Sequence, residues 1–242
     1  MTATNVVCPP GEQAALDLYD RVLARAAGGA DGTLVLRDPS GREHRIDAAS
    51  WCRPHRPGDG GLLDRCRGAT LDVGCGPGRL AGALLERGRP ALGIDVSPTA
   101  VRLARLRGAL ALCRDAFAPV PGQGRWEHLL LADGNVGIGG DPAALLRRCR
   151  DLLAPHGRLH VELEPPGTRS WSGRATLHDG DGDGDGDGDG DGNGNGDGSG
   201  GAPMRWAQVA ADDLAPLAGT AGLFIRTTWT EEDRWFATLA PA

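Results

Sequence analysis

One stretch restricts the fold of this chain more than any other: Leu71-Asp72-Val73-Gly74-Cys75-Gly76-Pro77-Gly78-Arg79-Leu80. A short apolar run stops at glycines and a helical apolar pattern starts at once, which reads as strand, tight turn and helix. Glycines at Gly74, Gly76 and Gly78 permit positive φ and remove the Cβ atoms that would hold a ligand away from the backbone. Beyond this unit, apolar runs alternate with helical patterns, the mark of a parallel sheet with crossover helices. Strands are expected at 69–73, 91–95, 109–114, 126–132 and 158–163. Helices are expected at 79–87, after Ser97-Pro98 and after Asp141-Pro142, where a capping side chain precedes a proline whose missing amide costs nothing. A further helix at 207–221 and a closing hairpin, 223–229 with 235–239 around a charged turn, complete the expected order.

Before the glycine unit, Leu16, Tyr19, Leu23 and Ala27 recur at helical spacing, and 33–47 reads as two strands about an Asp38-Pro39-Ser40-Gly41 turn. Residues 1–66 are therefore expected to form a helix-and-hairpin subregion able to cover a substrate, and residues 67–242 the main α/β domain. The run from Asp179 to Gly201 holds only Asp, Gly, Asn and Ser. With no apolar side chain to bury, it is expected to be a disordered insert. Asp181, Asp183, Asp185 and Gly186 match the first half of an EF-hand loop, but Gly192 stands where that loop needs a bidentate Glu.

Composition excludes several chemistries. The chain has no lysine in its 242 residues, so Walker-type phosphate loops, kinase chemistry and Schiff-base catalysis are out of reach. Eight of its 32 acids lie in the Asp/Gly run, leaving 24 against 26 arginines, a balance that gives nucleic-acid binding no electrostatic support. The six cysteines form no C-x-x-C pair and no signal segment opens the chain, so reduced thiols and a cytoplasmic location are expected. Cys52, His55 and Cys66, with His44, lack the paired spacing of a zinc site, and no metal is expected. No uncharged stretch is long enough to span a bilayer.

The glycine loop itself is selective. Its spacing is G-x-G-x-G, one residue short of the dinucleotide fingerprint, and position 79 is Arg. Asp72, at the strand tip, would repel a pyrophosphate and attract an ammonium. The loop thus suits a cofactor that bears an amino acid. Asp95 ends the next strand, where a carboxylate can accept from both hydroxyls of a ribose, and Asp115 follows the third, within reach of an adenine amino group. Any one of these acids alone is an ordinary solvated strand end; at three successive strand ends they describe one pocket.

The motifs LDVGCGPG, ALGIDVS and CRDAF resemble the class I S-adenosylmethionine-dependent methyltransferases, over roughly 71–163 with the closing hairpin compatible. The resemblance implies a Rossmann-like, seven-stranded, mostly parallel sheet with helices on both faces and one antiparallel strand. It implies S-adenosyl-L-methionine held by Asp72, Gly74, Cys75, Gly76, Gly78, Asp95, Val96, Asp115 and Ala116: Asp72 toward the ammonium, Asp95 on the ribose, Asp115 toward adenine. Residues after the fourth strand lie beside the methyl group in that family, which makes Asp133 and Asn135 catalytic candidates, though Asp133 equally suits a turn cap. Glu164, with Glu162, is a candidate base; His160 is expected on the opposite side of the strand and His128 in the core. No Asn-Pro-Pro-aromatic signature is present, against methylation of base or glutamine amides. Trp171 and Trp206 are candidates for an aromatic lid or for packing. The expected function is methyl transfer to O or N of a small molecule. The alternatives are a non-catalytic domain that binds this cofactor or S-adenosylhomocysteine, and an NAD-dependent reductase, which the glycine spacing disfavours.

Overall fold

The structure is a computed structural model describing residues 11–181 and 201–242. In chain order, α1 (Gln13–Ala27) leads into the hairpin β1 (Thr33–Arg37) and β2 (Glu43–Asp47), then the short helices α2 (Ala48–Cys52) and α3 (Asp59–Arg65). The alternating part follows: β3 (Thr70–Val73), α4 (Arg79–Glu86), β4 (Ala91–Asp95), α5 (Pro98–Leu106), β5 (Ala111–Cys113), β6 (Trp126–Leu131), α6 (Pro142–Leu152) and β7 (Leu153–Leu163). The chain ends with β8 (Trp171–Asp179), β9 (Ala202–Gln208), α7 (Leu214–Thr220), β10 (Leu223–Glu231) and β11 (Arg234–Pro241).

The expected caps are built as read. Ser97 Oγ accepts the Ala100 amide at 2.8 Å and Asp141 Oδ1 accepts the Ala144 amide at 2.9 Å, each ahead of a proline in the first turn. Seven strands form one sheet in the order β10-β11-β7-β6-β3-β4-β5. β3, β4, β5, β6 and β7 pair in parallel, while β11 runs antiparallel to both neighbours. The short turn between β10 and β11, with Glu232 and Asp233 at φ 49° and 58°, leaves room only for antiparallel pairing. Leu71, Leu129, Leu159 and Leu239 are buried against α6 and α7 on one face of the sheet; Leu130 and Phe236 meet Leu62, Leu80 and Leu84 on the other.

A second sheet was not expected. β8 and β9 join the N-terminal hairpin in an antiparallel sheet of order β2-β1-β8-β9, so this unit draws strands from both sides of the 66/67 division. α1 packs on it through Ala15, Leu18 and Val22 against Leu34, Leu36, Ala175 and Leu177. β9 also takes the first residues of the expected 207–221 helix, whose helical part begins only at Ala211. The expected disorder of 179–201 does not extend to its opening. Asp179 ends β8 and accepts two hydrogen bonds from the Arg25 guanidinium at 2.8 and 2.6 Å, and Asp181 accepts the Thr33 amide. The rest of the run, 182–200, lies outside the described residues, as does the calcium-loop match within it.

Candidate active site

The carboxyl ends of the parallel strands open into a cavity of about 840 Å³ roofed by the second sheet. At its floor, Gly74, Gly76 and Gly78 take φ of 73°, 51° and 78°, conformations that L side chains rarely adopt. Two of these glycines face protein. A Cβ at Gly74 would meet Asn135 Nδ2 at 2.7 Å, and one at Gly78 would meet Ala104 Cβ at 2.7 Å. Gly76 opens toward the cavity instead, where a Cβ would meet only the Tyr19 hydroxyl, at an ordinary contact distance of 3.6 Å.

Asp95 stands beside that opening. Its Oδ2 accepts the Gly76 amide at 2.9 Å and its Oδ1 the Ser97 amide at 2.8 Å, which fixes the carboxylate plane while leaving further lone pairs. Burial pushes its carboxyl up to about 6 against the pull of those amides. Asp72, 2 % exposed, is pushed up to about 7 by burial, which outweighs the Arg79 charge; Asp133 adds to the rise. A buried acid kept near neutrality is what an ammonium-bearing ligand would ionise and pair with. Asp115 lines the far end of the cavity, where its Oδ1 accepts the Phe117 amide at 2.9 Å. Cys75, Val96 and Ala116 line the same wall. Cys75 is buried, and burial raises its thiol well above its usual range, so it serves as a small wall residue rather than a nucleophile.

The catalytic candidates differ in their surroundings. Asp133 follows β6 at φ 53°, and its amide donates to Glu162 Oε2 at 2.6 Å. Its carboxylate is held by Arg79, by Arg56 Nη1 at 2.8 Å and by Arg234 Nη2 at 3.4 Å. Arg234 in turn grips Glu162 through two bonds of 2.8 Å and Asp59 through one of 2.9 Å, and Arg79 closes the lattice on Asp59. Three carboxylates are thereby matched by three guanidiniums, which tie up their oxygens within the lattice. Asn135 is occupied as a clasp, its amide donating to Val73 O at 3.0 Å and Gly74 O at 2.8 Å. Glu164 lines the cavity at the end of β7.

His160 departs from the expected opposite side. Residues 160 and 162 share a face, as the period of two requires, and both are answered from β11: His160 Nδ1 lies 2.9 Å from Thr238 Oγ1 as Glu162 lies against Arg234. His128 Nδ1 sits 3.1 Å from His160 Nε2, and Cys66 joins the two histidines in a group whose ligand atoms lie within 4.8 Å of one another, rather than joining Cys52 and His55. Burial raises the Cys66 thiol to about 12 and lowers His160 to about 3, the behaviour of a hydrogen-bonded core cluster of neutral groups.

Tyr19, Trp51 and Met204 escaped the sequence as cavity residues. Tyr19 from α1 covers the glycine loop, its hydroxyl kept protonated by burial and by Asp95, while Asp20 bonds the Ser97 hydroxyl. Trp51, Trp171, Trp206 and Met204 line the roof, with Trp171 Nε1 donating to Gln208 Oε1 at 2.6 Å. Both lid tryptophans thus border the cavity while also packing within their sheet. The missed signal was alternation: Trp171, Gly173, Ala175 and Leu177 recur with period two on one side of the Asp/Gly run, and Met204, Trp206 and Gln208 on the other.

Residues 70–157 match the family model described as a methyltransferase domain. A ubiquinone biosynthesis O-methyltransferase of Xylella fastidiosa is 33 % identical over 101 residues, 38 % of this chain and 40 % of that protein. An uncharacterized protein of Mycobacterium bovis is 30 % identical over 151 residues, 61 % of this chain and 49 % of its own length. The chain thus spans less than half of the curated relatives it matches. In fold it is similar to a SAM-dependent methyltransferase from Bacteroides fragilis, solved with S-adenosyl-L-homocysteine, at TM-score 0.71 and 21 % identity over 98 % of both chains. It is also similar to the 1,6-didemethyltoxoflavin-N1-methyltransferase of Burkholderia thailandensis, at TM-score 0.55 and 19 % identity over 100 % of this chain and 93 % of that one. Among the described residues no helix is long and apolar enough to cross a membrane.

Proposed function

We propose that this chain, whose residues 70–157 match the methyltransferase-domain model and whose fold is that of the S-adenosylmethionine-dependent methyltransferases, transfers a methyl group from S-adenosyl-L-methionine to an oxygen or nitrogen of a small molecule. The observation that carries this reading is the joint opening of the glycine loop, Asp72, Asp95 and Asp115 into a single cavity roofed by aromatic side chains. The open face of Gly76 is the cradle such a cofactor needs, and a cavity of about 840 Å³ has room for it together with a small acceptor.

In this reading Asp95 holds the ribose, Asp72 the ammonium, and Asp115 with the Val96 and Ala116 backbone the adenine. When bound, S-adenosyl-L-methionine supplies a methyl carbon activated by a sulfonium, whose leaving thioether is neutral. The protein's part is alignment, exclusion of water and proton removal from the acceptor. The lattice of Arg56, Arg79 and Arg234 with Asp59, Asp133 and Glu162 ties the segment beneath the roof to the floor and assigns Asp133 a positioning role. Asn135 fixes the glycine loop, and Glu164 is a candidate to receive a proton. The acceptor is read as a small molecule because the roof closes over the cavity; the O-methyltransferase relatives and the neighbour solved with a small heterocycle support that class.

Calorimetric titration with S-adenosylmethionine and S-adenosylhomocysteine, with NADH as control, tests the assignment. Saturable binding of the two sulfur ligands and none of NADH is expected; binding of NADH alone would replace this reading with a reductase. A chain that binds the cofactor yet methylates nothing in a broad acceptor screen would be a sensor of it.

A further inference from the structure

Within the methyltransferase reading, which this inference rests on, Glu164 has a rival for removal of the acceptor proton on the roof of the cavity. We propose that His44, oriented by Asp38, is the general base of this cavity, and that the acceptor is a phenolic hydroxyl seated among the roof aromatics. β2 alternates exposed and half-buried residues, and the half-buried His44 and Ile46 line the cavity together with the exposed Arg45 and Asp47. His44 Nε2 lies 3.2 Å from Asp38 Oδ2.

Asp38 is itself fixed. It is buried, and its Oδ1 takes the Ser40 amide at 2.8 Å, the Ser40 hydroxyl at 2.6 Å and the Arg42 amide at 3.0 Å, so Oδ2 is the oxygen left for the imidazole. The Ser40 hydroxyl above all, then His44 and the two amides, hold the Asp38 carboxyl well below the usual carboxylate range. A permanently ionised carboxylate only accepts, so the proton sits on Nε2 and Nδ1 carries the lone pair. This arrangement, a base oriented by a third group, is the one that proton abstraction requires.

The surroundings argue for a phenol. Trp51, Trp171 and Trp206 line the roof of this cavity, half of the six tryptophans in the chain, and the His44 ring lies tilted at 31° to Trp171 with centroids 5.8 Å apart. Planar walls select a planar ligand. A neutral amine attacks with its lone pair and needs no prior deprotonation, whereas a hydroxyl must lose its proton as it attacks. A histidine–aspartate pair therefore points to oxygen. The step balances as follows: the O–H bond breaks with its proton passing to His44 Nδ1, the oxygen pair forms the bond to the methyl carbon, and the carbon–sulfur pair departs onto sulfur.

The test uses the full chain, wild type and the variants His44→Gln, Asp38→Asn and Glu164→Gln. S-adenosylhomocysteine affinity, measured first by calorimetry, reports on the cofactor reading alone and shows that each variant is folded. 4-Nitrocatechol, whose phenolate absorbs in the visible, is then titrated into the protein holding S-adenosylhomocysteine, one pH unit below the probe's own pKa in that buffer. Free probe is about one-tenth ionised there. With wild type most of the bound probe is expected as phenolate; with His44→Gln the ionised share stays near one-tenth, and Asp38→Asn falls between. Equal spectra for wild type and His44→Gln, loss of the phenolate in Glu164→Gln alone, or no binding of the probe by wild type would overturn the proposal, even with cofactor binding intact.

Discussion

Asp95 meets the cavity with a carboxylate already set by two amides, so little ordering is left for a ribose to induce. On the role proposed for it, replacing Asp95 with Ala removes the acceptor of the ribose hydroxyls and should weaken S-adenosylhomocysteine binding by on the order of 1–3 kcal/mol, read by calorimetry. Asp95→Asn, which keeps one oxygen, should lose less. Asp72 behaves differently because burial carries its carboxyl up to about 7. Its neutral form favours the fold, so the stabilisation it provides is complete below the ordinary carboxylate range and fades as pH rises toward 7. Ligand binding runs in the opposite sense, since an ammonium pairs with the ionised form. Affinity for S-adenosylhomocysteine should rise between pH 5.5 and 7, by at most about tenfold per pH unit, and the rise should flatten in Asp72→Asn. A parallel rise in that variant would remove Asp72 from the ammonium site.

At the scale of elements, the arginine–carboxylate lattice joins the segment before α3, the start of α4, the turn after β6, and β7 to β11. Its members differ in burial, and cost should follow burial rather than the number of bonds. Arg234 is 7 % exposed and also donates to Pro57 O at 2.8 Å; its loss leaves buried Glu162 without a guanidinium and Asp59 with Arg79 alone. Arg234→Ala should destabilise the chain by about 3–5 kcal/mol in denaturant unfolding. Arg56, 34 % exposed at its side chain, loses a solvent-screened pair, and Arg56→Ala should cost no more than about 1 kcal/mol. Asp133 and Glu162 were legible as acids on or just after strands, but Asp59, which opens α3, and the arginine partners were not: Arg79 and Arg234 lie 155 residues apart in sequence, and no local pattern records that they share Asp59.

At the scale of the whole molecule, the cavity belongs to two sheets at once. The parallel sheet supplies the wall proposed to hold the cofactor and the antiparallel one the roof, so the two ligands should be separable by mutation. Trp171→Ala and Trp206→Ala should each weaken 4-nitrocatechol binding by about tenfold through lost aromatic contact, while calorimetric affinity for S-adenosylhomocysteine changes less than about twofold. Equal losses of both ligands would mean that the roof tryptophans hold the fold instead.

The amino-acid sequence by itself determined the cofactor half. There strand, glycine turn and helix are consecutive, the acids fall at predictable strand ends, and capping and periodicity act over a few residues. Only the tertiary structure decided the other half. The roof is assembled from β1 and β2 at one end of the chain and from β8 and β9 more than 120 residues later, and α1 brings Tyr19 over Gly76. Pairing of β1 with β8 is a long-range backbone ladder, specified by which edges remain free once the main sheet has formed. For the same reason His44 reads as an ordinary hairpin residue in sequence and stands beside Trp171 in the fold.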